Sequence, residues 1–199
     1  HVLAILLTLL LAAAPFGEAK GPAAWSEDEL KQLLTESPWA QVAEGPSANL
    51  PGVQVYLATA KPIQLAEAER ERRARAKLKG KAPEVDPFAE EYAAWLAENG
   101  KDQIILAILT GNHRAFNDSK ELDRLEKESV LRVGRKKLPM TGYFPPSERD
   151  PFLRIAFPRQ VGASDKAVRF ELYLPGVAGP FRSVEFPMEA LKFEGRVEF

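Results

Sequence analysis

Two histidines stand among the 199 residues, His1 and His113, and only His113 lies outside the apolar opening stretch. Imidazole is the side chain best suited to proton transfer near neutral pH, so His113 is the first residue to weigh for acid–base chemistry. It lies in Thr110-Gly111-Asn112-His113-Arg114, directly after an apolar run, with Ser119 and Asp123 following. Ser119, His113 and Asp123 supply the residue types of a nucleophilic triad. No Gly-x-Ser-x-Gly elbow accompanies them, and three residues so close along one loop rarely reach triad geometry. Paired carboxylates are the other route to acid–base work, since any two of the 28 Asp and Glu residues could converge in space.

Other chemistries lack their residues. The chain has no cysteine, which removes thiolate metal sites, disulfides and a cysteine nucleophile together, and one histidine cannot build a transition-metal site. The acidic positions from Asn112 to Asp123 do not follow calcium-loop spacing. Val133-Gly134-Arg135-Lys136-Lys137 lacks the flanking pattern of a phosphate loop. These readings imply no metal and no cofactor.

Binding is better represented. From Glu67 to Lys81 the chain carries Arg70, Arg72, Arg73, Arg75, Lys77, Lys79 and Lys81 against Glu67, Glu69 and Glu71. Glu69 with Arg73, and Glu71 with Arg75, are i,i+4 pairs in the favourable order, so the first half neutralises itself. The second half is basic. Arg70, Arg73, Lys77, Lys79 and Lys81, with Arg114, are the candidate contacts to an anionic surface. A net charge of −1 and the absence of interleaved aromatics argue against nucleic acid.

The elements that must position these residues read clearly in places. Ser26 and Glu29 form a capping box ahead of Leu30, Leu33 and Leu34, and Pro38 stops that helix, predicting a helix over 26–37. Trp25 and Trp39 flank it as anchors, and Trp39 is expected to be buried. A ring exposed beside His113 would instead point to a ligand. Val53 to Ala58 alternates as a strand, and a helical insertion follows over 62–100, with Phe88, Tyr92, Trp95 and Leu96 on one packing face. Gln103 to Leu109 is the most apolar strand and should be central. Asn117 to Lys127 reads as a short helix. Over 129–199 the pattern is mostly strands, at Ser129–Arg135, Tyr143–Phe144, Pro151–Phe157, Ala167–Leu174, Phe181–Phe186 and Phe193–Phe199. Phe144-Pro145, Phe157-Pro158 and Phe186-Pro187 mark strand ends, because proline has no donor for a ladder.

Residues Val2 to Ala14 form an uncharged apolar run, short of the roughly 20 residues that span a bilayer, followed by small residues. This is the pattern of a signal peptide over residues 1–19, cleaved after Ala19, with an uncleaved anchor as the alternative. A hydrophobic fraction of 45% gives ample core for a single domain over 20–199.

The order of pieces resembles an uncharacterised family of exported bacterial proteins of unknown function. The resemblance rests on the leader, Glu29-Leu30-Lys31-Gln32-Leu33-Leu34, Ser37-Pro38-Trp39-Ala40 and Ala58-Thr59-Ala60-Lys61-Pro62-Ile63. Phe157-Pro158-Arg159, Asp165-Lys166 and Met188 through Gly195-Arg196-Val197-Glu198-Phe199 complete it. It implies export and a β-rich body, and it brings no catalytic residue.

The expected fold is therefore α+β, a mainly antiparallel β-sandwich, immunoglobulin-like or barrel-like, with an N-terminal helix and a helical insertion. The expected role is an exported, non-enzymatic binding or assembly module of the cell envelope, whose partner is another envelope protein or an anionic surface, with no membrane span after leader cleavage. The alternative is an envelope hydrolase using His113 or paired carboxylates.

Overall fold

A computed structural model describes residues 20–78, 86–111, 113–162 and 164–199, with the backbone but not the side chain of His113. The expected signal peptide and the basic residues Lys79 and Lys81 lie outside the described residues. The first helix, α1 (Glu27–Thr35), begins as its sequence dictates. Ser26 Oγ accepts from the Glu29 N–H at 3.1 Å, and Glu29 Oε2 accepts from the Ser26 N–H at 2.6 Å. Both bonds satisfy donors that the first helical turn leaves free. Leu30, Leu33 and Leu34 are buried.

After α1 the order is β1 (Ala40–Ala43), β2 (Val53–Leu57), α2 (Lys61–Lys77), α3 (Pro87–Asn99), β3 (Gln103–Leu109), a 3-10 turn at His113–Asn117 and α4 (Ser119–Glu128). Then come β4 (Val130–Val133), β5 (Lys136–Pro139), β6 (Gly142–Phe144), β7 (Phe152–Pro158), β8 (Ala167–Tyr173), β9 (Phe181–Pro187), β10 (Lys192–Phe193) and β11 (Arg196–Val197). All described pairings are antiparallel. They make a five-stranded sheet, β1-β2-β3-β7-β6, a four-stranded sheet, β5-β4-β8-β9, and a small β10-β11 hairpin. The fold is α+β and sandwich-like. Its two large sheets join along one edge through a Glu44–Ser183 bridge, with backbone N–H···O distances of 3.0 and 3.1 Å.

Register decides which side chains meet. Ile104, Leu106 and Ile108 stand opposite Phe157, Ile155 and Leu153, so these six share one face. That face meets Val168 and Phe170 of the other sheet, and the Phe157 and Phe170 rings lie 5.3 Å apart in an edge-to-face pair. β3 is central and buried, as its apolar run predicts. The opposite face of the five-stranded sheet carries a cross-strand row of Tyr56, Ala107, Arg154 and Phe144, which α2 and α3 cover.

The three Phe-Pro pairs fall at strand ends, after β6 and closing β7 and β9. Other readings shift. The strand expected over Ser129–Arg135 ends at Val133, turns through Gly134 and Arg135, and returns as β5; Gly134 has φ +57°, which its missing Cβ permits. The strand expected at Phe193–Phe199 is a tight hairpin turning at Glu194 and Gly195. β1 carries little sequence signal, being four residues long. On α3, Tyr92, Trp95 and Leu96 pack as expected, but Phe88, on the same stripe in the first turn, is 52% exposed.

Candidate functional site

The densest chemistry lies under α2 and α3. Leu153 and Ile155 point into the sandwich, so Arg154 between them points to the helices. Its Nη1 binds Asp150 Oδ2 at 2.6 Å, and its Nη2 stands 3.9 Å from Glu67 Oε1. The Tyr56 hydroxyl donates to that same Glu67 oxygen at 2.7 Å. The Tyr92 ring lies 4.7 Å from the guanidinium, a cation–π contact in a nearly dry setting. Arg154 is 9% exposed, and its Nε has no hydrogen-bond partner.

Electrostatics follow from this burial. Burial pushes the Glu67 carboxyl above the ordinary carboxylate range, against the pull of the Tyr56 hydrogen bond and Arg154. About a quarter of the Glu67 side chain, 23%, stays open to solvent, yet its carboxyl end faces the sheet. Burial likewise drives the Tyr56 and Tyr92 phenols far above their usual range. A carboxyl biased toward its acid form beside an arginine-bound carboxylate is the pairing that acid–base catalysis uses. Here aromatic rings fill the surroundings: Phe144 meets Tyr92 and Trp95 at 5.1 and 5.3 Å, and Phe152 meets Tyr56 at 5.1 Å.

A second charged region lies on the outer face of the four-stranded sheet. Register sets Lys137, Arg132, Arg169 and Glu185 directly opposite one another across four strands. Arg132 Nε binds Glu171 at 2.6 Å, and Arg169 Nη2 binds Glu185 at 2.7 Å. An open groove of about 420 Å³ is lined by Arg132, Gly134, Asp165, Lys166, Arg169 and Glu185, among others. Asp165 caps its own loop, accepting from the Gly162 N–H at 2.7 Å.

The residues singled out from sequence are dispersed. His113 opens the 3-10 turn before α4. Ser119 is an exposed first-turn residue of α4, and Asp123, 70% exposed, pairs loosely with Lys127 at 3.9 Å. Arg114 and Lys77 are exposed. Arg70 is exposed and close enough to Glu67 and Tyr56 to act on their charge. Arg73 is a clasp: Nε binds Glu69 at 2.6 Å, Nη1 binds Glu27 at 2.9 Å and Nη2 donates to the Trp25 carbonyl at 2.5 Å. It ties α1 to α2, and with Arg72 it pulls the Glu69 carboxyl down to about 2, Arg72 having the larger effect. Trp39 is 1% exposed, and its Nε1 donates to the Glu198 carbonyl at 2.9 Å.

Arg154 escaped the sequence reading, although a lone arginine inside Phe-Leu-Arg-Ile-Ala-Phe-Pro was a usable signal. Arg182 is a second such case. It stands opposite Leu172 on the inward face of β9, donates to the Ala178 carbonyl at 2.7 Å, and keeps Nε and Nη1 buried without partners. Gly45 leaves room for it, since a Cβ there would lie 1.7 Å from Nη1 and the guanidinium would have to shift. Among the described residues no three His, Cys, Asp or Glu side chains gather as a metal site, and no helix is long and apolar enough to cross a membrane. Set against protein-family models, curated proteins and solved structures, the chain matches none.

Proposed function

We propose that the chain is an exported, non-enzymatic binding or assembly module of the bacterial cell envelope, engaging its partner through the outer face of the four-stranded sheet. One observation supports this reading: the charged groove at Arg132, Lys166, Arg169 and Glu185 is open, whereas the acid–base groups around Arg154 are packed into the fold. Export rests on the apolar leader alone. The partner is another envelope protein or an anionic surface, and the helix carrying Arg70 and Lys77 is a further contact of the same kind.

The test is crosslinking of the tagged full chain in intact cells, followed by recovery from the envelope fraction. Wild type should carry an envelope component that Arg132→Glu/Arg169→Glu loses while keeping its circular dichroism spectrum. Recovery of the chain from the cytoplasm only would sink the reading.

A second reading, an envelope hydrolase, is favoured by the raised Glu67 carboxyl beside the Arg154-bound Asp150. Turnover of ester, peptide or glycoside substrates that disappears in Glu67→Gln would establish it, and loss in His113→Ala would place the chemistry at the α4 loop. Absence of turnover in the wild type removes it.

A further inference from the structure

The outer face of the four-stranded sheet breaks a rule of strand pairing. Like charges directly opposite one another are destabilising, yet Lys137, Arg132 and Arg169 stand opposite across three neighbouring strands with no carboxylate in the row until Glu185. Glu171 and Glu185 answer the two arginines, one carboxylate each. Among the described residues Lys137 and Lys166 have no carboxylate within ion-pair distance, and both are exposed. On a chain of net charge −1, a groove of about 420 Å³ on this face sets three cations, Arg132, Lys166 and Arg169, against two carboxylates, Asp165 and Glu185, with Lys137 one strand beyond. Sequences depart from local rules of this kind where a ligand supplies the missing term.

We propose that this groove binds a diphosphate-bearing ligand, with Arg132, Arg169 and Lys166 in its lining and Lys137 one strand beyond it. The inference rests on the binding-module reading and names the ligand chemistry of that same face. Geometry selects phosphate over carboxylate. Glu171 occupies Nε of Arg132, and Glu185 occupies Nε and Nη2 of Arg169, so N–H donors remain on both forks. These donors come from two strands about 5 Å apart, and one planar carboxylate meets a single fork, whereas a tetrahedral phosphate offers oxygens to both. Three cations over two strand spacings extend roughly 10 Å, a length that suits two linked phosphates better than one.

The test is titration of the full folded chain with inorganic pyrophosphate at low salt, followed calorimetrically, beside vesicles of phosphatidylglycerol or phosphatidylcholine in a sedimentation assay. Pyrophosphate should bind, should weaken at least tenfold in Arg132→Gln/Arg169→Gln, and should weaken as salt rises. Lys137→Gln/Lys166→Gln, which removes no ion pair, should also weaken it and so separates binding from any effect on folding. Lys31→Gln, at an exposed position of α1, should change nothing. Binding of pyrophosphate supports the diphosphate assignment; binding only of phosphatidylglycerol vesicles, whose headgroup carries a single phosphodiester, overturns it. Binding of neither, binding unchanged in both double variants, or equal binding of succinate overturns the proposal. An envelope component that still crosslinks through Arg132 and Arg169 without any phosphate binding would leave the binding-module reading standing and remove this one.

Discussion

Arg154 and Arg169 are each the third residue of a seven-residue strand, and each meets one carboxylate at less than 3 Å. Their surroundings separate them. Arg154 lies beneath α2 and α3 with 11% of its side chain exposed; Arg169 lies on the uncovered face with 54% exposed. Two unit charges 4 Å apart attract by about 1 kcal/mol in water and about 4 kcal/mol at the effective dielectric of a partly buried site. Helical cover therefore turns one arginine into a structural centre, whereas open solvent leaves the other available to a ligand. The same pairing chemistry gives fold on one side of the molecule and an accessible surface on the other.

Four measurements test that contrast. The largest effect is expected from Arg154→Ala, which strands Asp150 and Glu67 beside a cavity and should cost about 3–5 kcal/mol in urea denaturation. A loss below about 1 kcal/mol would put both arginines in one class.

The second is pH dependence, where two carboxylates two residues apart on α2 pull in opposite directions. Glu67 has its folded pKa raised, so its contribution is fully present below the ordinary value of 4.5 and is lost as pH rises through the folded value. Glu67→Gln should flatten that decline, whose slope for one proton is on the order of 1 kcal/mol per pH unit at most. Glu69 is the reverse: its contribution is present above 4.5 and is lost as pH falls toward about 2. Glu69→Gln should remove only the acid limb. Thermal unfolding from pH 2 to 8 reads both, and identical profiles for the two variants would contradict the assignment.

Third, Tyr56→Phe deletes the hydroxyl bonded to Glu67 and should lower stability by about 1 kcal/mol, with the raised Glu67 carboxyl shifting further upward for want of that donor. Smallest is Arg169→Ala. Its exposed pair with Glu185 should change stability by no more than about 0.5 kcal/mol, and less at high salt. A larger, salt-insensitive loss would mean that the outer row is as structural as the inner cluster.

Much of the scaffold was legible because its signals are short-range. Ser26 with Glu29 fixes the start of α1 within one turn, and the run Ile104 to Ile108 fixes a central strand without reference to any partner. The candidate sites were less legible. The basic run pointed at Arg73, which the tertiary structure spends on Glu27, Glu69 and Trp25. The residues best placed for chemistry, Tyr56, Glu67, Asp150 and Arg154, span almost a hundred positions and carry no shared motif; only the lone arginine in β7 hinted at them.

The sequence by itself determined the capped first helix, the central strand, the Phe-Pro strand ends, the burial of Trp39 and the α+β, sandwich-like class, since each follows from neighbours along the chain or from apolar periodicity. Tertiary structure alone decided that Arg154 is enclosed and that Lys137, Arg132 and Arg169 align. Those outcomes depend on strand register and helical cover, and a shift of one residue in register would send every one of these side chains to the opposite face.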